Sequence, residues 1–209
     1  LLFYLLIFIL GLGFGSFANV CIYRIPRGES IIKPGSYCPN CGKQIEWYDN
    51  IPLISFVALR GKCRHCKRRI SLQYPLVELI TGFLFLVTYQ KFPGAPLTIA
   101  IFLIFVLFLI IVSTIDLQTY TIPNIFTYSL ILLGLFSSPF NSFLKEHSRI
   151  MISSSKEMSL ILSSIEGIIV GGGIIYLIAL LGRGMFKREA MGGGDIKLIS
   201  GVGAFLGAV

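Results

Sequence analysis

Five stretches of this sequence, and the start of a sixth, approach or exceed the length of a membrane crossing with almost no charge. A hydrocarbon core of about 30 Å takes roughly 20 helical residues. The stretches cover residues 1–22, 72–89, 97–115, 122–136 and 160–181, and the last begins near Gly192 and reaches Val209. That last one holds about 18 residues at most, so the chain is expected to be C-terminally incomplete. Leu1 to Leu10 has the apolar character of a secretory signal, but no charged segment precedes it. Its glycines run on into Asn19 and Arg24 instead of a small-residue cleavage site, so it is read as a span of the mature protein. Composition agrees: 55% of residues are hydrophobic and 13% charged, with a mean hydropathy of +0.81, too apolar for a soluble domain. The expected fold class is an all-α polytopic membrane protein with about six or more transmembrane helices and a small cytoplasmic zinc-ribbon-like domain between helices 1 and 2. The expected division is residues 1–22 for the first helix, 23–71 for the cysteine domain and 72–209 for the remaining membrane part.

A net charge of +8 fits either nucleic-acid binding or membrane topology, and its distribution decides. Ten of the 18 basic residues lie between Arg24 and Arg69, and Arg183, Lys187 and Arg188 precede the last span. The opposite loops hold Lys91, Lys145, Arg149 and Lys156. The positive-inside rule puts the two rich segments in the cytoplasm, together with the turn at Leu117 to Thr121.

Ionisable residues near a span are costly, and four acids qualify: Glu78, Asp116, Glu166 and Asp195. Asp116 closes the third span and is followed by Ile122-Pro123-Asn124, while Asp195 opens the last span behind Gly192, Gly193 and Gly194. Both fall at the cytoplasmic edge. Two carboxylates sharing one proton hydrolyse a peptide when one activates water and the other polarises the carbonyl. Each alone also fits a residue that caps or snorkels from a helix end. Asp195 starts a helix, where the dipole favours a carboxylate, and Asp116 lies near an end that disfavours one, so Asp195 is expected to be the more readily ionised.

The glycines suit a protease because a helical peptide cannot be cut. An extended substrate needs bare backbone to lie against, which Gly192 to Gly194 offer; the alternatives are a hinge or helix packing. Gly171-Gly172-Gly173 is expected to serve packing only. Glu166, toward the other side of the membrane, is read as structural.

Cys38-Pro39-Asn40-Cys41 and Cys63-Arg64-His65-Cys66 are two CxxC pairs separated by 21 residues, close to the spacing of a four-cysteine zinc ribbon. A closed four-thiolate site leaves no position for catalysis, so structural zinc is the favoured reading. Two disulfides are the rival, but they would not persist in a reducing cytosol, and no thioredoxin-like pattern supports a redox pair. His65 is a lesser candidate ligand and Cys21 an apolar filler. The metal would supply much of the folding free energy of so small a domain.

Gly192-Gly193-Gly194-Asp195 matches the GxGD motif of intramembrane aspartyl proteases, and the Asp116 segment ending in Ile122-Pro123-Asn124 resembles the partner motif of the type IV prepilin peptidases. Gly15-Ser16-Phe17-Ala18-Asn19-Val20, Tyr23-Arg24-Ile25-Pro26 and Tyr74-Pro75-Leu76-Val77-Glu78 look like that family too. The resemblance covers nearly the whole chain. It implies cleavage of basic leaders from prepilin and pseudopilin-like precursors at the cytoplasmic face of a bacterial inner membrane. It further implies N-methylation of the new terminus with S-adenosylmethionine, to which Glu78 is a candidate contributor; its other reading is a helix-packing hydrogen bond. Anionic lipid headgroups, and no nucleic acid, are the partners expected for the basic segment. The competing readings are a transporter or proton pathway built on intramembrane carboxylates and a membrane-tethered zinc-ribbon adaptor.

Overall fold

A computed structural model describes residues 1–147, 156–186 and 192–208, and every extended regular element among them is helical. The α-helices are α1 (Leu2–Arg24), α2 (Ile54–Ala58), α3 (Gln73–Lys91), α4 (Pro96–Thr119), α5 (Asn124–Ser137), α6 (Ser142–His147), α7 (Lys156–Phe186) and α8 (Gly193–Leu206). Each of the six predicted spans falls on one of them: α1, α3, α4, α5, α7 and α8. Three are long and apolar enough to cross a membrane, namely residues 2–27, 96–119 and 157–184, and the shorter apolar run 124–140 is not. Large apolar side chains stay exposed along the outer faces of α1 and α7, such as Leu5, Leu6, Ile9, Leu177 and Leu181, as lipid-facing surfaces require.

The main departure from expectation is α4, which runs past residue 115 to Thr119 and takes Asp116 into its last turn. The Thr119 hydroxyl donates to the Ile115 carbonyl (3.0 Å) and Gln118 donates to Gln73 (2.7 Å), so the polar residues extend the helix instead of ending it. Tyr120, at φ 52°, then turns the backbone left-handed, and Pro123 cannot continue a helix.

The chain divides into two compact units, one of residues 1–93 with 106–119 and one of residues 94–105 with 120–209. In the first, α1 packs on α3 through small residues. A Cβ added at Gly11 would lie 2.7 Å from the Gly82 Cα, and one at Gly15 would lie 2.7 Å from the Glu78 Cα. Gly11-x-x-x-Gly15 thus acts as a small-xxx-small contact of the kind that lets membrane helices approach closely. Phe8 on Phe83 and Phe14 on Phe85 flank it. Between these helices lies the cysteine segment, a lobe of tight turns with two isolated antiparallel bridges, Tyr37 to Gln44 and Lys62 to Arg69.

In the second unit α8 lies against both α5 and α7. A Cβ at Gly203 would collide with the Gly167 backbone and one at Gly201 with Leu130, while Gly134 faces Ala204. Gly171 and Gly172 likewise face Ile199 and Ser200, as the packing reading expects, whereas Gly173 meets nothing within 4 Å. The last carbonyls of a helix have no partner within it, and here Ser164 donates to the Ala204 carbonyl and Asn141 to the Phe205 carbonyl, each at 2.8 Å. Phe205 closes the core against Phe105, their rings 4.5 Å apart. Arg149, Lys187, Arg188, Val209 and the side chain of Lys156 lie outside the described residues.

Candidate functional site

Asp195 is the third residue of α8, whose helix begins after Gly192 in extended conformation. Its carboxylate reaches back to accept the Gly192 N–H (3.2 Å), half of a capping box that the glycine cannot complete from its own side. The three glycines separate into distinct roles. A Cβ at Gly193 would meet nothing within 4 Å, and Gly192 meets only the Asp195 carboxylate and local backbone. At Gly194 a Cβ would sit 2.9 Å from the Ile122 Cβ, so this glycine lets α8 close on the segment before α5. Lys197, one turn on, donates to the Asn124 side chain (2.9 Å) and lies 5.1 Å above the Tyr128 ring. The Gly192–Asp195 motif and Ile122-Pro123-Asn124 therefore meet within one unit, 70 residues apart in sequence. Reasoning that considered only acids passed over Lys197; a cation in the first turns of an apolar helix was the available signal.

Asp116 belongs to the first unit. It is half-buried, one residue after the fully buried Ile115. Both aspartates thus sit in a terminal turn of a helix, which matches carboxylates at a membrane edge more closely than the mid-bilayer acids a proton pathway uses.

The four cysteine sulfurs, of Cys38, Cys41, Cys63 and Cys66, lie within 4.8 Å of one another. The Cys38 and Cys66 sulfurs are 3.9 Å apart, far beyond a disulfide bond and close to the ~3.8 Å between ligands of a tetrahedral ion with bonds of about 2.3 Å. Each pair is built the same way. Cys38 N–H donates to Lys43 O and Gly42 N–H to Cys38 O; Cys63 N–H donates to Arg68 O and Lys67 N–H to Cys63 O. The N–H groups of Cys66 and His65 point at the Cys63 sulfur and hold its thiol pKa down, while burial pushes the Cys38 thiol up. Such a set can hold a metal ion, which would displace the remaining thiol protons. His65 is exposed and stands outside the cluster. Arg64 forks onto Asp49 with two bonds of 2.6 Å, and Arg68 donates to Asn40. Part of the basic run is therefore engaged within the lobe. Cys21 is buried, as a filler would be, and Glu166 is exposed on α7.

Glu78 is 7% exposed and joins the two parts of the first unit. Its carboxylate accepts the Leu53 N–H (2.9 Å). Leu53 sits at φ 60°, ψ −47°, with Ile54 N–H closing on Pro52 O, a strained γ-turn held partly by that carboxylate. The Glu78 carboxylate does make a hydrogen bond, but to the cysteine lobe at Leu53, so it ties the lobe to α3.

Residues 9–92 match the bacterial peptidase A24 N-terminal domain, and residues 103–209 match the type IV leader peptidase family. The chain is 38% identical to a prepilin leader peptidase/N-methyltransferase of Myxococcus xanthus over 98% of its own length, 35% identical to one of Klebsiella pneumoniae over 96%, and 34% identical to one of Vibrio cholerae over 98%. It belongs to the type IV leader peptidase family. The chain spans 56% of the Myxococcus relative's length, 84% of the Klebsiella one's and 78% of the Vibrio one's. No solved structure matches it. The match to the N-terminal domain takes in the cysteine lobe and Glu78, and the match to the peptidase family takes in both aspartates.

Proposed function

We propose that this chain is a prepilin peptidase that removes the basic leader from type IV prepilin and pseudopilin-like precursors and then N-methylates the exposed terminus. The observation that carries the reading is the docking of the Gly192–Asp195 helix start onto Ile122-Pro123-Asn124, in a chain of the leader peptidase family. Asp116 and Asp195 form the dyad. Asp195, at the N-terminal end of a helix, takes the ionised role and draws the proton from water as it attacks the scissile carbonyl; Asp116, at a C-terminal end, donates a hydrogen bond to the carbonyl oxygen. The leader unwinds along Gly192 and Gly193, whose bare backbone an extended strand can approach.

The division into residues 1–22, 23–71 and 72–209 goes with this reading. Six membrane-crossing helices are counted by adding α3, α5 and α8 to the three long ones; α8, at about 21 Å, crosses only part of the core. The Arg24–Arg69 segment and both aspartates face the cytoplasm at the bacterial inner membrane. Zinc is the ion that Cys38, Cys41, Cys63 and Cys66 hold, in a structural role. S-adenosylmethionine supplies an electrophilic methyl group to the new terminal amine.

The test is cleavage of a pilin precursor by the membrane-embedded protein. Wild type is expected to release the leader, and Asp116→Asn and Asp195→Asn each to lower the rate by at least about 10²-fold. Near-normal cleavage by either variant would remove the dyad, and intact precursor with wild type would remove the peptidase reading.

A further inference from the structure

The face of α8 that meets α5 is a row of three residues at helical spacing: Gly194 against Ile122, Lys197 against Asn124 and Tyr128, and Gly201 against Leu130. Two of the three are glycines that let the helices close. A lysine is out of keeping with that row, since an apolar side chain would fill the same place without bringing an ammonium group into a helix contact. Its partners say what it does. The ammonium donates to Asn124 Oδ1 (2.9 Å) and lies 5.1 Å from the Tyr128 ring centre.

A lysine ammonium only donates and never accepts. Asn124 can therefore meet it only through the amide oxygen, and chemistry alone settles which way that amide faces. Its Nδ2, with two N–H groups, is left for another partner. Among the described residues it has none, and Asn124 is exposed. The usual structural work of an asparagine at a helix start is to cap it. Here Pro123 holds the N-cap position, no side chain caps α5, and Asn124 is the first residue of the helix, its carbonyl accepting from the Thr127 hydroxyl (3.0 Å). Asn124 thus offers an oriented, unused donor two residues after Ile122, the contact of Gly194, which immediately precedes Asp195.

We infer that Asn124 is a substrate-binding residue whose Nδ2 donates to a backbone carbonyl of the extended peptide beside the scissile bond, and that Lys197 is the positioning residue that keeps the amide turned toward it. The inference rests on the peptidase half of the proposed function and adds a contact to it. A helical peptide has its carbonyls taken by its own N–H groups, whereas an unwound one leaves them free to accept. A donor of this kind therefore favours the unwound form. Because it reads backbone, it accepts leaders of differing sequence.

Steady-state cleavage of a pilin precursor by the full chain in nanodiscs tests this through Asn124→Asp. The carboxylate still accepts from the Lys197 ammonium, so the tether to α8 survives, but it has no N–H to give. KM is expected to rise about tenfold, the loss of one hydrogen bond, with kcat within about twofold of wild type and Tm unchanged. The pH profile of kcat is expected to keep its position, which separates a lost substrate contact from a charge felt by the dyad. Lys197→Met, which frees the amide to turn over, is expected to raise KM several-fold, and Lys197→Arg, which restores a donor, to bring it back. Wild-type KM in Asn124→Asp would overturn the inference, since the asparagine would then be only a tether. A change confined to kcat or its pH profile, or a wild-type KM in Lys197→Met, would overturn it as well. A second measure uses no variant: a precursor with a photoreactive residue beside the cleavage site, irradiated with wild type, is expected to label residues 120–128, and label absent from that segment counts against the contact. Intact precursor with wild type removes the peptidase reading as a whole, whereas normal cleavage with an unchanged KM in Asn124→Asp removes only the role of Asn124.

Discussion

Gly42 and Lys67 occupy equivalent places, each directly after the second cysteine of its pair, and both are left-handed, at φ 69° and 58°. Glycine takes that conformation freely, while a side chain pays about 1–2 kcal/mol for it. Because metal binding and folding of the lobe are one process, the difference is expected in metal affinity. Gly42→Ala should weaken binding roughly fivefold, corresponding to about 1 kcal/mol, and Lys67→Gly should tighten it by up to a similar factor. Competition with a chromogenic chelator measures both, and equal affinities across the three proteins would contradict the argument. The cysteines themselves were legible because metal ligation imposes a spacing. Lys67 was not, since nothing in its identity signals that the second knuckle repeats the backbone of the first. The role of Glu78 was legible only as a position of interest. Its partner at Leu53 is 25 residues away, in a turn whose strain no local pattern reveals.

Apolar run length located α1, α3, α4, α5, α7 and α8 to within a few residues, apart from the C-terminal end of α4 and both ends of α7, where the helix continues past the apolar run. Which faces meet is a different matter. Gly11, Gly13 and Gly15 look alike in sequence, yet Gly11 and Gly15 press on α3 and Gly13 meets nothing within 4 Å. Gly15→Leu should therefore cost about 1–3 kcal/mol by overpacking against Glu78 and Thr81, seen as a lower Tm, while Gly13→Leu leaves Tm nearly unchanged. The same contrast divides the glycines before Asp195. Gly194→Val should lower Tm by forcing α8 off Ile122. Gly193→Val should leave Tm alone and reduce leader cleavage, because its hydrogen atoms are where substrate backbone lies in the proposed function. A Gly193→Val protein that cleaves at the wild-type rate would argue against that path.

At the scale of the molecule, two aspartates about 80 residues apart were singled out because motif and sidedness pointed to one membrane edge. The structure assigns each to a helix end in its own unit. The packing of α7 and α5 on α8 uses glycines, Ser164, Asn141 and Phe205, none of them in the cysteine lobe. The lobe has little apolar interior of its own: Cys38 is the one hydrophobic residue buried between residues 28 and 71. A four-thiolate ion contributes on the order of 10 kcal/mol to a segment of this kind, so its removal is expected to act locally. Treating the intact protein with a strong chelator should deprotect backbone amides of residues 36–70 in hydrogen exchange and leave those of α7 and α8 protected. Loss of protection in α7 and α8 at the same chelator concentration would mean that the metal holds the second unit together as well, and the two units could not then be treated as separately stabilised.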